Sequence, residues 1–303
     1  MSAHHPHSHD HGTGEVSDGV LLWTVILNAG LSVFEFVAGA VAGSVALMAD
    51  ALHNTNDAAA LGIAWVARKI SRKGADESFT FGYRRAELVG AMIQLTALIL
   101  VGLYLLYEAA HRLVEPEPLR GTWIMAAAGV ALVVDVATVG LLWAMSKGSV
   151  NVRAAFLHNL TDAGASVAVL IGGAAVTWLG WTWVDPALTF GIAGAILWMS
   201  YGMLRRTAAM LMEAAPPGLD LDEVRDAVVE LEGVTSLHHL HVWDLDEDRR
   251  AMEAHLVVTE ATGLEDLAEI RARAKGMLRD RFHIAHSTLE LELPGYECEG
   301  PHC

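Results

Sequence analysis

The sequence predicts an α-helical membrane protein, with six transmembrane helices followed by a small cytoplasmic α+β domain of αββαβ order. Three observations carry that expectation. Of the 303 residues, 53% are hydrophobic and only 18% charged, a balance rarely found in a water-soluble chain of this length. The apolar residues gather in blocks of about 20, the length at which a helix crosses about 30 Å of hydrocarbon. The charge is also lopsided. From Glu213 onward there are 21 acidic and 8 basic residues, a net of −13, whereas the first 212 residues carry 15 and 12, a net of −3. The acidic part reads as a separate water-exposed module, and its sign argues against nucleic acid as a partner.

Taken in order, residues 1–18 form a histidine-rich tail with His4, His5, His7, His9 and His11. So polar a stretch cannot bury a core and is expected to be disordered and cytoplasmic. Its clustered imidazoles can still capture borderline cations. No basic segment precedes a short apolar core and cleavage site, so no removable signal peptide is expected. The transmembrane domain is expected over 19–212, with spans at 20–43, 45–67, 84–110, 122–146, 153–178 and 186–204. The first two are separated by little more than Gly43-Ser44.

Basic residues set the orientation. Arg68, Lys69, Arg72, Lys73, Arg84 and Arg85 lie between spans two and three, Lys147 and Arg153 flank the next loop on that side, and Arg205 and Arg206 follow span six. The opposite side has Arg112 and Arg120. Both termini therefore face the cytoplasm. A multi-pass protein of the bacterial inner membrane is the expectation.

The cytoplasmic domain is expected over 213–295. A helix at 220–232, strands at 234–245 and 250–259, a helix at 264–281 and a strand at 284–293 give the αββαβ order. In the last strand Leu289, Leu291 and Leu293 alternate with Thr288, Glu290 and Glu292, one buried face and one wet one. The first strand, with His238, His239 and His241, does not alternate cleanly, and its faces stay unassigned. The two cysteines, Cys298 and Cys303, fall in the tail 296–303 and form no disulfide framework.

The chemistry concentrates in a repeated pattern. Leu52-His53-Asn54-Thr55-Asn56-Asp57-Ala58 is echoed 105 residues later by Leu157-His158-Asn159-Leu160-Thr161-Asp162-Ala163. Each histidine stands four residues before an aspartate, so each helix presents an imidazole and a carboxylate on one face. Face to face, His53, Asp57, His158 and Asp162 would offer two nitrogens and two oxygens, a set suited to tetrahedral zinc, with two carboxylates to balance its charge. Ionisable groups in a span cost several kcal/mol at its centre, so two matched pairs call for a metal. Asp50 reads as a helix cap more than as part of a site mouth. Asp135 fits either a proton relay or local pairing. Glu35, Glu87 and Glu108 read as structural.

These motifs resemble the cation diffusion facilitator family, in particular its zinc-exporting, ZitB-like branch. The resemblance also rests on Ser44-Val45-Ala46-Leu47-Met48-Ala49-Asp50-Ala51, on Thr80-Phe81-Gly82-Tyr83-Arg84-Arg85-Ala86-Glu87, and on His238-His239-Leu240-His241-Val242-Trp243. It covers residues 20–293 and implies a homodimer in the lipid membrane that exchanges a cytoplasmic divalent cation for protons by alternating access. The transport site would be His53, Asp57, His158 and Asp162, with zinc the cation and cadmium a second candidate. The tail domain would be metallochaperone-like and hold zinc at His238, His255 and Glu290. Cys298 and Cys303, with His302 between them, resemble a C-terminal thiolate site, although Cys-x-x-x-x-Cys is wider than the family spacing. The alternative for them is a frayed tail with free thiols. The basic loop 68–85 has no histidine, which puts a loop zinc site in doubt. Arg85 with Glu213 matches a charge interlock between dimer halves, or is an ordinary surface pair.

Two other function classes remain. An intramembrane metalloenzyme needs a base to activate water, as in His-Glu-x-x-His, and no such pattern occurs. A membrane-anchored metal sensor would signal through its tail and would not need metal ligands buried in two spans.

Overall fold

The computed structural model describes residues 18–145, 150–246, 249–259 and 263–295; the side chains of 18–28, 141–142, 144–145, 150–155 and His158 lie outside that description. Six long helices come first: α1 (Asp18–Ala42), α2 (Val45–Ser71), α3 (Ala86–Val114), α4 (Gly121–Met145), α5 (Val150–Leu179) and α6 (Val184–Leu211). By length and apolarity, α3, residues 121–140 of α4, residues 159–179 of α5, and α6 can each cross a membrane, and α1 contributes a shorter apolar stretch at Ala29–Ala42. α2 falls outside that group because it carries His53, Asn54, Asn56 and Asp57 in its middle. Large apolar side chains point outward, with Trp198 84% and Trp178 74% exposed, as suits helices solvated by lipid.

Small residues bring the helices together. Ala38, Ala42, Ala46, Ala127 and Ala128 join Leu47, Ile124 and Val169 in one buried cluster. α4 and α5 approach so closely at Gly173 that a Cβ there would lie 2.9 Å from Ile124 Cγ2 and 3.0 Å from the Met125 amide nitrogen. Dispersion between close backbones replaces the hydrophobic effect as the force holding helices in lipid.

The α1–α2 hairpin is locked from several sides. Gly43 has φ +77°, a left-handed conformation open to glycine, and a Cβ on it would meet the Pro118 carbonyl oxygen at 2.9 Å. The Gly43 carbonyl accepts from Arg112 Nη1 at 2.5 Å, and Arg120 N–H donates to the Ala42 carbonyl at 2.9 Å. The first amides of α2 have a carboxylate from another helix. Asp185 on α6 accepts from Val45 N at 2.9 Å, Ala46 N at 3.4 Å and the Ser44 hydroxyl. A negative charge there meets both the orphan amides and the positive end of the helix dipole.

The C-terminal elements are α7 (Leu221–Val229), β1 (Val234–Asp244), β2 (Arg250–Val258), α8 (Leu264–Phe282) and β3 (Ile284–Glu292). Asp220 caps α7, accepting from Asp222 N at 2.9 Å and Glu223 N at 3.4 Å. The sheet order is β1-β2-β3, antiparallel between β1 and β2 and parallel between β2 and β3. A parallel neighbour requires a crossover, and α8 supplies it. Val224, Val228, Met252, Leu256, Ile270, Leu278 and Ile284 fill the core under the sheet.

β3 departs from the expected alternation at its end. Leu289 and Leu291 pack on the core, but Leu293 is exposed and Glu292 is buried. Two histidines of the neighbouring strands surround that carboxylate. By compactness the chain forms two units, one of residues up to Gly62 with 96–201, the other of residues 63–95 with 202 onward.

Candidate metal centres

On α2, His53 Nε2 and Asp57 Oδ2 lie 3.8 Å apart, one turn from each other, both partly buried. The i, i+4 spacing therefore presents both groups on one face. On α5, Asp162 and Asn159 are buried. His158 is part of α5, and its side chain lies outside the described residues.

Three acidic residues that the sequence places outside the transport motifs are buried in the helices. Glu35 on α1 is fully buried, and Asn54, next to His53, donates to its Oε2 at 3.4 Å. Asp135 on α4 is buried and accepts from Ser166 Oγ on α5 at 2.8 Å. Asp50 on α2 is buried as well. Asp50 lies inside α2 and is not its cap: Ser44 Oγ accepts from Leu47 N at 3.1 Å, and Asp185 takes the amides of Val45 and Ala46.

The second constellation stands on the sheet. β1 and β2 pair His238 with His255 and His241 with Glu253, so two residues of β1, His239 and Leu240, face one of β2, Ala254. This is a bulge, and His239 takes φ +50° within it. The bulge breaks the alternation of the histidine run and brings the His239 ring within 4.7 Å of the rings of both His255 and His241.

His238, His255 and Glu292 converge there, each offering a ligand atom within 4.8 Å of the others. His255 Nδ1 is 2.7 Å from Glu292 Oε1, and His238 Nε2 is 3.2 Å from Glu292 Oε2. The last two atoms are buried and form no hydrogen bond of acceptable geometry. Two ligands of a tetrahedral zinc ion at about 2.0 Å stand about 3.3 Å apart, so this spacing fits a bound metal. Glu290, the residue the family resemblance pointed to, reaches His255 Nε2 at 3.4 Å but is largely exposed. Both carboxylates share the face of β3 toward the histidines, and Glu292 is the more enclosed. Cys298, His302 and Cys303 lie outside the described residues.

Arg85 Nη2 meets Glu213 Oε1 at 3.0 Å within one chain, on exposed side chains. In the loop ahead of α3, Asp76 accepts from Tyr83 Oη at 2.6 Å and from the amides of Phe79 and Ser78. Those donors, the Tyr83 hydroxyl first, hold its carboxyl below the ordinary aspartate range.

Comparison with known proteins agrees along nearly the whole chain. Residues 21–212 match the model of the cation efflux transmembrane domain, and residues 216–293 that of the cation efflux protein cytoplasmic domain. The zinc transporter ZitB of Escherichia coli K12 is 32% identical over 308 residues, spanning 100% of this chain and 96% of its own. The metal cation efflux system protein CzcD of Cupriavidus metallidurans is 33% identical, across 95% of this chain and 90% of its own. A cadmium, cobalt and zinc/H(+)-K(+) antiporter of Bacillus velezensis is 31% identical, across 94% and 91%. The solved metal-bound C-terminal domain of the CzcD transporter is 36% identical, covering 25% of this chain and all of its own at a TM-score of 0.23. With helices, tail domain and both family models in register, the chain belongs to the cation efflux family, as a multi-pass membrane transporter of metal ions and not an enzyme.

Proposed function

We propose that the protein exports zinc from the cytoplasm in exchange for protons, as a homodimer in the bacterial inner membrane with both termini cytoplasmic. The observation that carries this reading is the His53–Asp57 pair facing one side of α2, matched in sequence by His158 and Asp162 on α5. The four residues are the transport site. Zinc binds imidazole and carboxylate only when they are deprotonated, so zinc and protons compete for the same atoms. Ligands open to the neutral cytoplasm load zinc; open to a more acidic exterior, they take protons and release it. Cadmium shares the preference for these donors and is a second cargo.

The proposed organisation is a histidine-rich tail over 1–18, the transmembrane domain over 19–212, the αββαβ domain over 213–295 and a Cys/His tail over 296–303. In the αββαβ domain, His238, His255 and Glu292 hold a resident zinc, with Glu290 as an outer ligand. The buried spacing of His238 and Glu292 supports that set. Zinc bound there joins the strands at the bulge and links cytoplasmic zinc to the domain's rigidity. Cys298, His302 and Cys303 are a further ligand set in the last tail.

The test is zinc flux in proteoliposomes carrying a pH gradient. His158→Ala and Asp162→Ala are each expected to abolish gradient-driven flux, while flux that persists in both would overturn the site. Zinc binding without any flux in the native protein would favour a sensor.

A further inference from the structure

Where α2 ends and the chain turns toward α3, the structure holds a cavity of roughly 720 Å³. Its wall carries five cationic side chains, Arg68, Arg72, Lys73, Arg84 and Arg249, and two carboxylates, Glu87 and Asp246. Both carboxylates are engaged. Glu87 Oε1 accepts from Ser71 Oγ at 2.5 Å, and Asp246 Oδ2 pairs with Arg249 Nε at 2.8 Å and Arg84 Nη1 at 3.4 Å. Among the described residues, Arg68, Arg72 and Lys73 form no ion pair with a carboxylate, and Lys73 Nζ sits 5.5 Å from the Tyr83 ring centroid. Three such cations around one opening repel one another until an anion enters, and guanidinium groups favour phosphate oxygens.

The surroundings indicate which anion. Trp65, one turn before Arg68, is 65% exposed, and Lys69 Nζ sits 5.4 Å from its ring centroid. Val66 on α2 and Val89 and Ile93 on α3 are exposed too. An exposed tryptophan with a lysine folded over it, beside apolar helix flanks, marks the level at which a helix leaves hydrocarbon for the headgroup region. Phe79 and Phe81 are exposed on the connecting loop. The volume suits a headgroup better than a bare ion.

We propose that this cavity binds the phosphate of an anionic phospholipid of the cytoplasmic leaflet, with Arg68, Arg72 and Lys73 as the phosphate-binding residues. The site rests on the membrane orientation proposed above. Arg68 lies on the last turn of α2, the helix that carries His53 and Asp57, and Arg72 and Lys73 directly follow its end, so lipid bound there holds the cytoplasmic end of that helix. A free phosphate shares the same chemistry and is separated by the test.

The test uses the full-length protein in detergent micelles doped with phosphatidylglycerol or phosphatidylcholine, with retained lipid counted by native mass spectrometry. The native protein is expected to retain phosphatidylglycerol in preference. The triple variant Arg68→Gln, Arg72→Gln, Lys73→Gln is expected to lose that preference by about a hundredfold, taking roughly fivefold per cation. The charge-preserving variant Arg68→Lys, Arg72→Lys, Lys73→Arg is expected to keep most of it, which a folding defect would not mimic. Unchanged preference in the triple variant, or loss in the charge-preserving one, overturns the proposal. Inorganic phosphate that displaces the lipid and binds equally well without it assigns the cavity to a soluble anion and overturns the lipid. His158→Ala is expected to abolish zinc flux while retaining the lipid, so failure of the transport site and failure of the lipid site read differently.

Discussion

His238 Nε2 and Glu292 Oε2 face each other at 3.2 Å, both buried and neither in a well-formed hydrogen bond. A buried carboxylate opposite an imidazole is costly without a cation to share. In the full-length protein, Glu292→Gln is expected to lower zinc affinity of the cytoplasmic site by about 10- to 100-fold, within the range seen when a metal's carboxylate partner is lost. Glu290→Gln is expected to have the smaller effect, because that side chain is largely exposed. Isothermal titration with zinc separates the two, and equal losses would count against Glu292 as the principal carboxylate.

Chelation gives a second expectation at the same place. Removing zinc from the αββαβ domain is expected to lower its unfolding temperature, since a ligand at 100 times its Kd stabilises by about 2.7 kcal/mol. Differential scanning calorimetry with and without chelator checks this, and Glu292→Gln should respond to the chelator less than the native protein does.

Asp185→Asn tests the tie between α6 and the start of α2. The amide keeps one acceptor for Val45 N but loses the charge that meets the helix dipole. A loss of about 1–2 kcal/mol is expected, read as a fall in thermal stability of the purified protein. Ser44→Ala, which removes both the hydroxyl bonded to Asp185 and the cap on Leu47 N, should lower stability by a similar amount.

Gly173→Val should separate α4 from α5. The added side chain meets Ile124 and the Met125 backbone, and overpacking of this kind costs about 1–3 kcal/mol. Reduced yield of folded protein from membranes, with Gly164→Ala unaffected because its Cβ would meet open space, is the expected result.

The Asp76 loop should depend on pH in a known direction. Its carboxyl is held below the ordinary aspartate value of 3.8, so its contribution is complete above that value and is lost as pH falls through the lower folded one. Asp76→Asn is expected to speed hydrogen exchange at Ser78 and Phe79 at neutral pH without changing it in α8.

Much of this architecture is legible in the sequence because its signals are local. Blocks of apolar residues mark α3 and α6 without any knowledge of packing, and alternation at Leu289 and Leu291 marks β3. The i, i+4 spacing alone puts His53 and Asp57 on one face of α2. Glu292 is different. Its alternation marks it as solvated, and only the register of three strands, shifted by the bulge at His239, encloses it between histidines. Glu35, Asp50 and Asp135 are buried by the packing of helices against one another, which no local spacing encodes. Asp185 likewise reads as an ordinary start to α6, since the amides it serves lie 140 residues away in sequence.

The carboxylate of Asp185 makes the start of α2 and the start of α6 a single mechanical part. A transporter of this build cannot slide one past the other without baring two backbone amides and a negative charge to lipid. Whatever swing opens the ion's way out is therefore expected to carry these two helix ends together.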